Sequence, residues 1–273
     1  MNYQNKKHIY LFFILAYGFT WLFWIPRALE SQGYLSLPID PVFFHIAGAF
    51  GPAVAAMSLT CIDGGKKGLR KLFAPYGRLN VHWTWYAFVL FTRPLIWSMA
   101  LLGYFVLGQQ KIISWEANAG FFILYFVSQL FVVGVGEELG WSGYALPRLQ
   151  VRHGFVRANL VLGILWGVWH LPFFFTIGDS QYGTSLLIFT LKLTAFRFLF
   201  SAACLRTGSL VMPGLFHVSF NVLTEQVPLS PNDPLAIGLS VIFAEAWILL
   251  SKRKGWLEPD QAAPEPLPPL LST

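Results

Sequence analysis

Eight apolar stretches, each close to the roughly 20 residues needed to cross a bilayer, leave this chain few folds to adopt. They run Ile9–Ile25, Phe43–Ile62, Trp83–Leu107, Gly120–Gly136, Ala158–Phe175, Thr184–Leu205, Ser209–Leu223 and Leu235–Leu250. Inside lipid a segment must satisfy its own backbone hydrogen bonds, so stretches of this length become helices. The expected fold is therefore all-α, a polytopic membrane protein of about eight transmembrane helices. Composition agrees: 12% of residues are charged, against about a quarter in a soluble domain. The second and seventh stretches are rich in Gly, Ala and Ser, as expected where helices pack closely in lipid.

The basic residues set the orientation. With the N-terminus cytoplasmic, 14 of the 19 Lys and Arg residues fall in inner loops, 2 (Arg27 and Lys111) in outer loops, and 3 (Arg93, Lys192, Arg197) within spans. Such a bias places both termini inside, as an even number of spans requires. It also accounts for the net charge of +6 without nucleic acid as a partner. Lys6-Lys7 precede the first stretch, which ends in Pro26-Arg27 with no small-x-small site, so this stretch is expected to stay as a span. Cys61 and Cys204 have neither CxxC nor finger spacing and read as ordinary small residues. Residues 1–257 are expected to form one transmembrane domain in the cell membrane. The Pro-rich stretch 258–273 is expected to be a disordered cytoplasmic tail. No internal repeat is visible, which gives little support to a transporter built from inverted repeats.

Three of the spans carry groups that a bilayer excludes: Glu137 and Glu138, His170, and His217 with Asn221. An ionisable residue inside a span points to function. At 1.5 Å per residue, Glu137 lies about 13 Å, His170 about 18 Å, His217 about 12 Å and Asn221 about 18 Å from the inner ends of their helices. The polar residues thus share one stratum, nearer the cytoplasmic side. His217 and Asn221 are i, i+4 and face one way, as do Trp166 and His170. Pro172 interrupts the backbone bonding beside His170. Glu137 and Glu138 are consecutive, so one is expected to face a chamber and the other to make a structural contact. A buried Glu with a His can hold and deprotonate a water. A His with an Asn can donate hydrogen bonds to a developing oxyanion. Together they suit hydrolysis of an amide without a covalent intermediate.

These residues resemble the motifs of the CPBP family of intramembrane proteases, which includes the CAAX prenyl endopeptidases of the Ras-converting-enzyme type. The family pattern EExxxR, aromatic-xxx-His and HxxxN reads here as Glu137-Glu138, Trp166-xxx-His170 and His217-xxx-Asn221. The resemblance covers residues 120–225. It implies an intramembrane endopeptidase in which Glu137 is the catalytic carboxylate, Glu138 its neighbour in the motif, and His170 an activator of water. His217 and Asn221 would form the oxyanion site. The substrate would be a membrane-embedded or membrane-associated peptide or protein, presented from the cytoplasmic side. The family is also described as metalloprotease. Glu137, His170 and His217 offer a zinc ligand set, but there is no HExxH, and a metal-free site without cofactor is the expectation.

The chain departs from the pattern at Ser142, which stands where the first motif has Arg. Arg197, at a similar depth on the sixth span, is expected to replace that charge and pair with the glutamates. Two rival readings remain: a catalytically inactive membrane scaffold or regulator of the same fold, and a small transporter. Gly140-Trp141-Ser142-Gly143 imitates the nucleophile motif of rhomboid serine proteases. Ser142, however, lies about one turn below Glu138, away from the histidines.

Overall fold

The computed structural model describes residues 3–108, 119–226 and 233–253. Nine helices occur among them: α1 (Tyr3–Ser31), α2 (Pro41–Ala49), α3 (Gly51–Phe73), α4 (Trp83–Val106), α5 (Ala119–Val132), α6 (Leu146–Trp169), α7 (Leu186–Thr207), α8 (Val211–Gln226) and α9 (Pro234–Arg253). No strand occurs among the described residues. Lys111, Lys254 and the Pro-rich tail lie outside them.

Each of the eight apolar stretches is mostly helical, and the protein is an all-α integral membrane protein. Four segments are long and apolar enough to cross a bilayer: His8–Ser31, Trp83–Val106, Leu139–Phe175 and Leu186–Thr207. A fifth is a bent pair, Pro41–Ala49 with Gly51–Gly77, turned by 42°. Ile123–Val132, Val211–Val222 and Pro234–Leu250 are shorter apolar helices. Large apolar side chains such as Ile14, Leu22, Phe105, Leu124 and Leu187 are exposed. A soluble monomer rarely shows so much apolar surface; a lipid-facing surface requires it.

The second stretch was expected as one straight span and is instead broken at Phe50. Pro52 lacks an N–H and sits in the first turn of α3, where none is needed. Asp40 starts α2 by accepting from Val42 N at 2.9 Å. The break lets the backbone of α2 and α3 approach α1: a Cβ on Gly48 would strike the Trp24 indole, and one on Gly51 would strike Thr20.

The fourth stretch departs further from expectation. A straight α-helix through Glu137 and Glu138 does not form. Helix α5 ends at Val132, and wide turns follow, with Gly134 N and Gly136 N bonded five residues back to Gln129 O and Phe131 O. Glu138 N likewise reaches Val133 O at 3.0 Å. A π-helical segment, Leu139–Ala145, then leads into α6. Glycines make this underwound stretch feasible. A Cβ on Gly140 would lie 2.5 Å from the backbone of Pro52, so the α2–α3 break and the π segment fit against each other only without a side chain.

Helix α6 is not the simple return span expected either. Gly154 (φ 72°, ψ 173°) divides it, a conformation open to Gly alone. The part after Gly154 runs to Trp169, where Pro172 prevents continuation and a 3₁₀ turn, Leu171–Phe175, follows. Helix α7 is the most enclosed, with buried residues on every side from Phe189 to Cys204, and ends in a left-handed Gly208. It packs on α6, α8 and α9. Arg78 donates to Gly208 O (3.1 Å) and Tyr76 to Gly134 O (2.6 Å), so the turns after α3, α5 and α7 gather at one end of the bundle. The C-terminal end of α1 and the 176–185 turn gather at the other, where Arg27 meets Asp179.

Candidate active site

The two glutamates diverge, as consecutive residues must. Glu138 turns into the protein and has no exposure. Arg197 Nη1 donates to its Oε2 (3.3 Å) and Oε1 (3.5 Å). Ser142 Oγ also donates to it, and His217 Nδ1 lies 3.1 Å from Oε1. Arg197 itself bonds Ser142 Oγ through Nη2 (2.6 Å) and Ser201 Oγ through Nε (3.3 Å). The charge missing at position 142 therefore arrives from α7, as expected, and Ser142 takes part by bridging acid and base. A buried ion pair survives only when extra hydrogen bonds satisfy both partners, and here they do.

Glu137 faces a cavity of about 400 Å³. Trp166 Nε1 donates to its Oε2 at 3.0 Å. His170, His217 and Asn221 line the same cavity. The expected residues thus meet at one space, apart from Glu138, which stands behind it and braces His217.

Trp166 joins the set. Its carbonyl oxygen lies 2.8 Å from His170 Nδ1, so that nitrogen carries a proton. A neutral His170 then presents the lone pair of Nε2. The Trp166 ring stands edge-on to both imidazoles, with centroids 5.8 Å from His170 and 5.1 Å from His217. His170 caps the C-terminal end of α6 and is enclosed by Trp169 and Phe189. His217 Nδ1, facing the Glu138 carboxylate, is the donor of that bond. Asn221 Nδ2 donates to Gln129 Oε1 (3.0 Å), and its second N–H remains.

Sequence reasoning missed several residues. His45, Lys192 and Gln129 also line the cavity. Gln129 positions Asn221, and its signal was a lone amide in an apolar span two turns before Glu137. His45 stacks on Phe173 (5.1 Å, 7° between planes). The ammonium of Lys192 lies 5.0 Å from the Phe189 ring centre. Nothing in their spacing links either to the motifs.

Glu137, His170 and His217 share the cavity wall, while among the described residues no three His, Cys, Asp or Glu side chains are grouped to hold a metal ion. Ser142 is 1% exposed, is absent from the cavity wall and is engaged by Glu138 and Arg197, so it is no nucleophile.

Residues 119–223 match the family model described as type II CAAX prenyl endopeptidase, Rce1-like. The chain is 30% identical over 155 residues to a CAAX prenyl protease 2 of Methanococcus maripaludis. That alignment takes in 52% of this chain and 57% of the relative, so the chain spans little more than half the relative's length.

Proposed function

We propose that this chain is an intramembrane endopeptidase of the CAAX prenyl endopeptidase type, a reading supported by its Rce1-like residues 119–223 and its similarity to a CAAX prenyl protease 2. The observation that carries the proposal is the unequal setting of the two glutamates: Glu138 is consumed in an ion-pair network, while Glu137 lines the cavity beside His170 and His217.

In the proposed reaction a water sits between Glu137 and the Nε2 of His170. Glu137 takes its proton as the oxygen attacks the peptide carbonyl carbon. The tetrahedral oxyanion receives hydrogen bonds from His217 Nε2–H and the free N–H of Asn221. Glu137 returns the proton to the amide nitrogen as the C–N bond breaks, giving a carboxylic acid and an amine. No metal and no covalent intermediate enters these steps. The substrate is a membrane-associated peptide or protein. The relative's name carries prenylated C-terminal peptides as the first class to test.

An inactive scaffold is the less favoured reading, because its main support, Ser142 in place of Arg, loses force once Arg197 occupies the same position in space. The test is Glu137→Gln beside wild type in proteoliposomes with a quenched farnesylated peptide. Loss of general-base catalysis should lower kcat by about 10²–10⁴-fold. Equal turnover by the two proteins would overturn the proposal.

A further inference from the structure

His170 stands between two groups of side chains on the chamber wall. On one flank Phe173 packs with Trp24 (ring centres 4.0 Å apart) and His45 (5.1 Å), and lies 5.9 Å from the His170 ring. On the other, Phe189 lies 5.2 Å from the His170 ring and 5.0 Å from the ammonium of Lys192. Both flanks line the cavity, and Gln129 and Asn221 add amides to its wall. Laid end to end, the two distances from Phe189 set the ammonium at most about 10 Å from the imidazole, which about three extended residues span.

The Lys192 flank is a closed end. Lys192 is 2% exposed, and its ammonium lies 5.8 Å from the Phe220 ring centre. Arg93 fills the space against that ring, with Cζ 4.0 Å from the centre of Phe220, 5.4 Å from Phe196 and 4.7 Å from Trp97. It is itself buried. A polypeptide lying along the chamber cannot run on through this packing, so a chain that reaches Lys192 ends there. The chain end that suits an ammonium is a carboxylate. Lysine has three N–H donors, so one can go to a ligand oxygen while the others serve the protein. Hydrogen bonds between ionised partners are about twice as strong as neutral ones.

We infer that Lys192 is a specificity-determining residue that receives the free C-terminal carboxylate of the substrate, so that the chamber selects chain ends over internal peptide segments. The selection of what is cut rests on the endopeptidase reading; the binding of a carboxylate at Lys192 does not.

Binding to the full-length Glu137→Gln protein in nanodiscs tests this without turnover. The probe is a fluorescent farnesylated peptide, made either as the free acid or as the C-terminal carboxamide. The acid should bind about tenfold to a hundredfold more tightly. A carboxamide with Asp as its last residue should bind as weakly as the plain carboxamide, because its charge is on a side chain and not at the chain end. Adding Lys192→Met should bring acid and carboxamide within twofold of each other, and Lys192→Arg should keep a preference for the acid. Equal binding of acid and carboxamide, no binding of either, tight binding of the Asp carboxamide, or a preference that survives Lys192→Met overturns the inference. The comparison of acid with carboxamide needs no change at Lys192, so a poorly folded variant leaves it decisive. A protein that prefers the acid yet cuts neither peptide when Glu137 is restored would overturn the endopeptidase reading alone.

Discussion

Glu137 and Glu138 are chemically identical and one position apart, yet removing their charges should have different effects. Glu137→Gln should lose activity while keeping its fold. Arg197→Ala strands the Glu138 anion without its main partner, in a place with no exposure. Breaking one side of a buried pair costs about 3–5 kcal/mol. A large fall in thermal midpoint in detergent is therefore expected, whereas the double variant Arg197→Met with Glu138→Met should recover much of it. A fully stable Arg197→Ala protein would mean that the network contributes little. The pairing was legible beforehand because two charges at one depth in lipid have few alternatives to meeting. The parts played by Gln129, His45 and Lys192 were not: each is a lone polar residue in an apolar stretch, and only the three-dimensional wall shows that they share a cavity.

At the scale of elements, hydrophobic stretches marked where helices lie but not how they are wound. Apolar residues along Gly120–Gly136 suit an α-helix and a π-turned one equally, so the underwinding around Glu137 was invisible. The glycines held the clue, because Gly136 and Gly140 stand where the backbone sits against that of Ala49 and Pro52. Gly140→Ala should push the π segment off Pro52. Overpacking of this kind costs about 1–3 kcal/mol, and a lower unfolding midpoint with reduced turnover is expected. At Gly154 space is free but the backbone is not: its φ of 72° with an extended ψ should make Gly154→Ala unfavourable by about 1–3 kcal/mol. An unchanged midpoint in either variant would rule out the corresponding account.

At the scale of the whole molecule, the ends of the bundle are fastened differently. One end relies on Arg27–Asp179 to hold the 176–185 turn against α1. Arg27→Ala should increase hydrogen exchange in that turn by several-fold while leaving α6 and α7 protected; uniform protection would show that the pair does not hold it. The membrane class, the all-α fold and the motif helices were legible, because lipid permits few solutions for such a chain. The bend at Phe50 and the turn at Gly154 were not, because they arise from contacts between distant helices. The ion pair at the centre has one more consequence. Glu138 and Arg197 are separated by 59 positions, and a ribosome delivers the acid first. A single charge at mid-membrane depth is disfavoured by about 2.5–3.5 kcal/mol on insertion. The nascent acidic hairpin should therefore linger beside the translocation channel until α7 emerges, so that the two helices leave for the lipid as a unit and biogenesis of the active centre is tied to the order of synthesis.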